Sequence, residues 1–195
     1  MNIYRIENEA WVAEIATHGA ELKSLRSKKT DRNYIYDGSA GWKRSSPVLF
    51  PNIGGLAEET LVHNGVRYPA KAHGFARDMD FALKEKSDTA ISFNLSNDES
   101  TAEFFPFMFG LTISYELTDN GVKVFWHVEN HGEETMYFSI GAHPGFCLLP
   151  GTKLEDYSLS WDVETAIDTR RVMGRFLTKD TEHIADPCNH LDLSS

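Results

Sequence analysis

The sequence predicts a mainly β protein, built as an antiparallel sandwich or barrel, and three observations lead to that fold class. Apolar residues recur at every second position along several short segments, which is the spacing of half-buried strands. Turn-forming residues such as Asp119, Asn120 and Gly121 separate these segments at hairpin spacing. Helical periodicity is scarce. Many short strands joined by tight turns are typical of sandwiches and barrels.

The individual strands follow from the alternating segments. In residues 109–118 an apolar series that begins with Phe109, Leu111 and Ile113 alternates with small or polar residues. After the turn at Asn120 and Gly121, alternation over 122–128 and apolar residues over 136–140 complete a three-stranded meander. Further strands are predicted over 11–16, 91–96 and 157–163, and short helical turns over 98–105 and 180–185.

Size and composition predict one soluble globular domain over residues 1–195. The chain is 41% hydrophobic and 25% charged, as ordinary soluble proteins are. Its net charge of −10 disfavours a nucleic-acid or anionic-membrane partner, because both require clustered lysine and arginine. No apolar run approaches the roughly 20 residues of a spanning helix, and residues 1–10 do not resemble a secretory signal. Two cysteines without a Cys-x-x-Cys pair suit a reducing cytoplasm.

The last stretch of the sequence, residues 186–195, predicts a loop that ends without a closing strand or helix. A sandwich usually finishes in a regular element. We therefore expect the sequence to be part of a longer domain, and a frayed tail is the alternative.

A first candidate site segment covers residues 42–55. Pro47 and Pro51 bracket its apolar centre, and proline on both sides makes a rigid, extended segment. Such a segment would hold Arg44 or Asn52 at the rim of a cleft, where the arginine N–H donors suit hydroxyls or oxyanions. A rigid connector at a sheet edge with a solvated arginine is the simpler interpretation of this block alone.

Two histidines lie at predicted strand ends. His73 opens the segment His-Gly-Phe-Ala-Arg over residues 73–77, and His143 lies between Gly141-Ala142 and Pro144. Two positioned imidazoles suffice to move protons at neutral pH, because imidazole titrates near pH 6.5. Taken alone, His73 is better interpreted as a hydrogen-bonded core histidine at a bend. Packing explains His143 poorly, since glycine and proline flank it at a strand end.

Other chemistries have little support in the sequence. The remaining six histidines fall on polar strand positions, in turns or in loops, and no His-x-His pair suggests a metal site. No Gly-x-Ser-x-Gly elbow supports a serine hydrolase, and no glycine-rich phosphate loop precedes a helix. We therefore expect neither a metal nor a cofactor.

The candidate blocks together resemble the aldose 1-epimerase (galactose mutarotase-like) superfamily and are most similar to its LacX-type branch. The resemblance rests on Trp42-x-Arg44-x-x-Pro47 with the following Val-Leu-Phe-Pro, on His-Gly-Phe-Ala-Arg-Asp over residues 73–78, and on Gly141-x-His143-Pro144. Each motif alone is weak. Three motifs in this order and approximate spacing are specific to the superfamily, although not to a substrate, and they extend the resemblance over essentially the whole chain.

The resemblance implies a large antiparallel β-sandwich, the galactose mutarotase-like supersandwich, of which this sequence is the N-terminal two-thirds. It implies a sugar cleft on one concave sheet face, with His143 as the general acid that protonates the ring oxygen. His73 would lie beside that oxygen and polarise or position it. Arg44 resembles the family's sugar-binding arginine, and Arg77 matches an arginine near the phosphate in relatives that act on hexose 6-phosphates.

Further sugar contacts are expected from the rim and from an aromatic floor. Asn52 is the rim candidate. Phe75 is a candidate for the floor, and so are Trp42, Phe50 and Phe146, although each of these aromatic residues is equally compatible with a core position.

One part of the family pattern has no counterpart in this sequence. Relatives are considerably longer, and their catalytic base is a glutamate near the C-terminus, which would fall after Ser195. No residue of this sequence is assigned to that base. The resemblance therefore implies an isomerase domain whose activity as this chain alone is weak.

Three functions follow from these features. The first is a mutarotase that interconverts α and β anomers of an aldose, with a hexose 6-phosphate as a variant substrate. The second is a non-catalytic carbohydrate-binding or sensing module. The third is a β-sandwich interaction domain with a vestigial cleft. The expected partner of the first two is a small sugar, and the sequence does not specify an oligomeric state.

Overall fold

The protein is mainly β, as the sequence predicts. A computed structural model describes residues 1–174 and 176–193. Strands make up 53% and helices 7% of the structure. The chain forms two compact units, Met1–Cys147 and Leu148–Ser195. The expectation of one domain over residues 1–195 stays a prediction.

The regular elements of the larger unit are twelve strands and one short α-helix. The strands are β1 Ile3–Glu7, β2 Trp11–Ala16, β3 Leu22–Ser27, β4 Arg32–Asn33, β5 Val48–Leu49, β6 Thr60–His63, β7 Val66–Pro69, β8 Ala82–Lys86, β9 Ala90–Ser96, β10 Phe109–Thr118, β11 Gly121–Asn130 and β12 Gly141–Ala142, with the helix α1 at Glu99–Ala102. Single 3-10 turns lie at Ala57–Glu59 and Ala76–Asp78. The predicted helical turn over 98–105 is confirmed as α1, which Asp98 caps by accepting from the backbone N–H of Thr101.

Two four-stranded antiparallel sheets form the body of this unit, one ordered β1-β2-β3-β4 and the other β11-β10-β9-β8. Apolar side chains of both sheets join one buried cluster. Ile6 and Ile15 come from the first sheet, and Phe93, Leu111 and Ile113 come from the second. The alternation predicted for residues 109–118 therefore turns its apolar side toward a shared core, which confirms the predicted sandwich.

The prediction of a third strand in the meander is wrong. Residues 136–140 form no strand, and the described residues pair β11 with β10 alone. After β11 the chain crosses to the segment that contains β5, where the N–H of Ser139 bonds to the carbonyl of Pro51 and β12 pairs antiparallel with β5. The predicted apolar alternation is present in the sequence, but this part of the chain leaves the sheet instead of adding a strand to it.

The smaller unit contains one long antiparallel hairpin, β13 at Ser158–Met173 and β14 at Phe176–Asp192, which follows a 3-10 turn at Leu154–Asp156. The predicted strand over 157–163 is largely contained in β13. The predicted helical turn over 180–185 and the predicted terminal loop from residue 186 are wrong, because β14 continues to Asp192. Several register shifts interrupt this hairpin, and such irregularities obscure two-residue alternation in a sequence. Ser195 lies outside the described residues.

Within residues 1–174 and 176–193, none of the helices has the length and apolar character needed to cross a membrane.

Candidate active site

His143 takes its position from the pairing of β5 with β12. It directly follows β12, whose Gly141 and Ala142 lie opposite Leu49 and Val48. The backbone N–H of His143 donates to the carbonyl of Pro47 across 3.2 Å. The segment that the sequence marks as rigid thus fixes the backbone of the second candidate histidine.

His73 lies at a sharp bend against the same segment. Its φ of 68° is in the left-handed region. Its backbone N–H donates to the carbonyl of Gly54 across 2.9 Å, and the backbone N–H of Gly54 donates to its Nδ1 across 3.1 Å. This reciprocal pair anchors both the backbone and the ring of His73, and it fits a neutral ring that carries its proton on Nε2.

The residue after His73 must be glycine. Gly74 has a φ of +69°, and a Cβ at this position would lie 2.0 Å from the carbonyl oxygen of Phe50. The two residues form an isolated parallel bridge. The close approach of two backbones at this point brings the His73 bend onto the strand segment that also holds His143.

The structure brings the two imidazoles together. Their ring centroids are 5.8 Å apart, with the planes inclined by 75°. The pKa of His73 lies below its usual value, because the ring is partly buried and because the positive charges of Arg77 and His143 oppose its protonation. The pair therefore combines an imidazole held neutral with a second imidazole that is exposed.

An aromatic side chain flanks the exposed imidazole. The ring centroid of Trp42 is 5.1 Å from that of His143, and on its other side Trp42 stacks on Tyr36 at 6.4 Å with an interplanar angle of 11°. Trp42 is 37% exposed. Of the aromatic residues proposed for the floor, Phe50 and Phe75 lie in the core, and Phe146 is exposed. Trp42 is therefore the aromatic candidate in contact with the imidazole pair.

The two candidate arginines meet at one carboxylate. Nη2 of Arg44 lies 2.6 Å from Oδ1 of Asp78, and Nη1 of Arg44 donates to the carbonyl of Arg77 across 3.3 Å. Nη2 of Arg77 donates to the carbonyl of Ala72 across 2.8 Å. The pKa of Arg77 is lowered, first by burial and then by the positive charge of Arg44. Arg44 thereby connects its own segment to the turn that follows His73.

Asn52 and Phe75 line a cavity of about 360 Å³ that also includes Gly74 and Asp78. The amide nitrogen of Asn52 donates to the carbonyls of Gly54 and Lys71, so this side chain supports the loop that holds His73. The cavity walls are mainly apolar, and His73 and His143 do not line it. Proton transfer requires the imidazoles, and the candidate site is therefore the imidazole pair rather than this neighbouring cavity.

Sequence reasoning missed one buried carboxylate that supports the site. Glu21 accepts from the backbone N–H groups of Ser45 and Ser46 across 2.7 and 3.0 Å, and from Nζ of Lys23 across 3.2 Å. Its side chain is 10% exposed. Ser45 in turn accepts from the backbone N–H of Gly145 across 2.8 Å. Glu21 thus fixes the segment between Arg44 and Pro47. Its only sequence signal is a glutamate next to the apolar start of β3.

The described residues include no group of three or more histidine, cysteine, aspartate or glutamate side chains placed to hold a metal ion.

Comparison with known proteins finds relatives over most of the chain. Residues 2–184 match the family model described as Aldose 1-epimerase. The protein LacX (plasmid) of Lactococcus lactis subsp. lactis is 29% identical over 165 residues, which are 80% of this chain and 55% of that protein.

Two solved structures share the fold. A galactose mutarotase-like protein from Lactobacillus casei is 36% identical and superposes with a TM-score of 0.89, over 98% of this chain and 67% of that chain. A galactose mutarotase related enzyme from Lactobacillus acidophilus is 31% identical with a TM-score of 0.89, over 99% of this chain and 65% of that chain. The chain thus spans about half the length of the LacX relative and about two-thirds of these structures.

Proposed function

The chain belongs to the aldose 1-epimerase family, and on that premise we propose that it is a mutarotase domain that interconverts the α and β anomers of an aldose. The observation that carries the proposal is the approach of two imidazoles to 5.8 Å, one of them oriented by a backbone N–H. The substrate is a free sugar in the first instance.

The proposed reaction opens a cyclic hemiacetal and closes it on the other face. Opening requires one proton to be given to the ring oxygen and another to be taken from the anomeric hydroxyl. We assign the first step to His143, the exposed imidazole. His73 has its Nδ1 occupied by the N–H of Gly54, so it presents Nε2–H as a donor that polarises or positions the ring oxygen.

Sugar hydroxyls are assigned to the groups around the imidazoles. Arg44 and Arg77 supply the N–H donors that their intramolecular hydrogen bonds leave unused. Asn52 lines the neighbouring cavity, and the proposal gives it the role of holding the His73 loop through the carbonyls of Gly54 and Lys71. We assign Trp42 to the C–H face of the sugar, because it lies against His143 and is partly exposed. Phe75 is buried in the core, where its ring packs against Phe50, and the proposal gives it a supporting role there.

The proposal assigns no residue of this chain to the base that accepts the anomeric proton. A positioned general base contributes about 10²–10⁴-fold. We therefore expect turnover by this chain alone to fall short of that of a complete family domain by about this factor.

Anomer exchange tests the proposal. Polarimetry or NMR exchange spectroscopy with α-galactose and α-glucose should show acceleration over buffer by the wild-type chain. His143→Gln should abolish this acceleration, and His127→Gln, which changes an exposed histidine on β11, should leave it intact. Wild-type chain that gives no acceleration, or an effect that survives His143→Gln, would remove the proposal.

A non-catalytic carbohydrate-binding module is the second candidate. It predicts that galactose binds to the wild-type chain and that His143→Gln retains this binding, while no protein in the series accelerates anomer exchange. Binding and exchange lost together in His143→Gln would favour the mutarotase.

We also propose a cytoplasmic location. Both cysteines, Cys147 and Cys188, are free thiols, as expected in a reducing compartment. Alkylation of both thiols in protein isolated from cells without reductant would support this location, and a disulfide would oppose it.

A further inference from the structure

Asp78 lies between the two arginines of the candidate site. Its Oδ1 is 2.6 Å from Nη2 of Arg44, and its Oδ2 is 3.9 Å from Nε of Arg77. Two guanidinium charges thus share one carboxylate, which leaves one net positive charge in this cluster of Arg44, Arg77 and Asp78. We call this cluster the Arg–Asp–Arg group.

Partial burial makes these charges act strongly on one another. The side chains of Arg77, Arg44 and Asp78 are 20%, 27% and 38% exposed. Nε of Arg77 is buried without a hydrogen-bond partner among the described residues. Charges removed from water are screened less by salt. An uncommitted N–H in such a place leaves capacity to bind a further acceptor.

Asp78 already accepts from the Arg44 guanidinium, which is the group that an anion would bind. A phosphate group binds arginine through paired N–H donors, which the guanidinium presents as a planar fork. On Arg44, one Nη2–H is directed at Asp78 and one Nη1–H at the carbonyl of Arg77. An incoming dianion therefore meets a guanidinium that is already paired, and a like charge next to it.

A neutral hydroxyl can form hydrogen bonds with both the carboxylate and the guanidinium groups of the same cluster. A sugar hydroxyl both donates and accepts, so it can donate to the Asp78 carboxylate while it accepts from a remaining N–H of either arginine. The Arg–Asp–Arg group therefore suits neighbouring hydroxyls of an unphosphorylated sugar.

We infer that Asp78 is a specificity-determining residue that selects neutral aldoses over phosphorylated ones by holding Arg44 in an ion pair. This inference rests on the proposed function and names its substrate class. Removal of the carboxylate frees Arg44 from this ion pair and leaves two guanidinium groups with no carboxylate between them.

Calorimetric titration of the full chain with inorganic phosphate tests the inference directly. Wild type should bind phosphate with a dissociation constant of about 1 mM or weaker. Asp78→Asn should bind it about 10- to 100-fold more tightly, as expected when a charged hydrogen-bonding group becomes available. Micromolar binding by wild type would overturn the inference without reference to any variant.

Asp80→Asn is the matched control. It removes the same charge only two residues along the chain, and the Asp80 carboxylate pairs with His18 rather than with an arginine. Its phosphate affinity should equal that of wild type, and an equal gain in both variants would indicate a general charge effect and overturn the inference. Adding Arg44→Met to Asp78→Asn should cancel the gain. A gain that persists would place the anion elsewhere and also overturn it.

Galactose titration separates this inference from the proposed function. If the protein binds galactose but Asp78→Asn gains no phosphate affinity, the role inferred for Asp78 is contradicted and the mutarotase proposal is unaffected. A phosphate gain that depends on Arg44, in a protein that neither binds galactose nor accelerates anomer exchange, would support control of Arg44 by Asp78 and remove the mutarotase proposal.

Discussion

The backbone N–H of Gly54 donates a hydrogen bond of 3.1 Å to Nδ1 of His73. A ring nitrogen that accepts a hydrogen bond carries no proton, so this contact requires the neutral imidazole with its proton on Nε2. Burial, together with the positive charges of Arg77 and His143, lowers the pKa of His73 in agreement with this state. The fold therefore stabilises one protonation state of the ring.

Acidification should destabilise the protein through His73. The unfolded ring titrates near the usual value of 6.5, and the folded ring titrates lower. Between these values the unfolded state binds more protons, so this contribution to stability is complete above pH 6.5 and is lost as the pH falls toward the folded pKa. We expect the free energy of unfolding, measured in urea at about pH 7.5 and at about pH 5, to fall less between these pH values for His73→Asn than for wild type.

The comparison with His73→Asn isolates this effect. Asn tolerates a positive φ better than most residues, so the bend is retained. His183, whose pKa is raised by its bond to Asp168, contributes with the opposite sign, but equally in both proteins. Identical pH dependence of wild type and variant would contradict the account.

Gly74→Ala should be strongly destabilising. The new methyl group would lie 2.0 Å from the carbonyl oxygen of Phe50 in a backbone conformation with positive φ, and we expect a loss of about 2–5 kcal/mol in the free energy of unfolding. Gly65 has a φ of +78°, and nothing lies within 4 Å of the position that a Cβ would take there. Gly65→Ala should therefore cost only about 1–2 kcal/mol. Unfolding in guanidinium chloride measures both changes, and equal losses of unfolding free energy for Gly74→Ala and Gly65→Ala would contradict the backbone contact.

Glu21→Ala should destabilise the protein by about 2–4 kcal/mol, because the buried carboxylate accepts from two backbone N–H groups that would lose their partner. It should also weaken ligand binding at Arg44, which directly precedes Ser45. Glu14→Ala removes an exposed carboxylate that bonds to Ser24 and should change stability by less than about 0.5 kcal/mol. Urea unfolding of both variants checks this, and similar small effects would contradict the role of Glu21.

Trp42→Ala should weaken galactose binding by roughly 3- to 10-fold, since the ring lies 5.1 Å from the His143 ring and offers an apolar face to the sugar. Trp126 on β11 is also 37% exposed and provides a matched control. Trp126→Ala should leave the affinity unchanged in the same titration. A loss confined to Trp126→Ala would locate the sugar elsewhere.

The sandwich, and the location of each histidine at the end of an element, could be predicted because they follow from local patterns. Alternation along β10 marks a strand, and a glycine within two positions of each histidine marks bends at element ends. The resemblance added that His73 and His143 converge, which no spacing in the sequence establishes.

The rest depends on contacts that leave no periodic signal. Residues 136–140 have the apolar pattern of a strand, but the chain crosses to Pro51 instead of pairing with β11. The β13–β14 hairpin has shifted registers that hide its alternation. Glu21 and Asp78 act through backbone groups and arginines that are distant in sequence, so only the fold shows their partners.

The most direct test of the account is a galactose titration followed by the NMR signals of the imidazole rings in the uniformly labelled chain. If the two rings form one sugar site, the signals of His73 and His143 should shift together and give a single dissociation constant, while those of His127 stay in place. Signals that move independently, or a sugar that shifts neither ring, would contradict a common site.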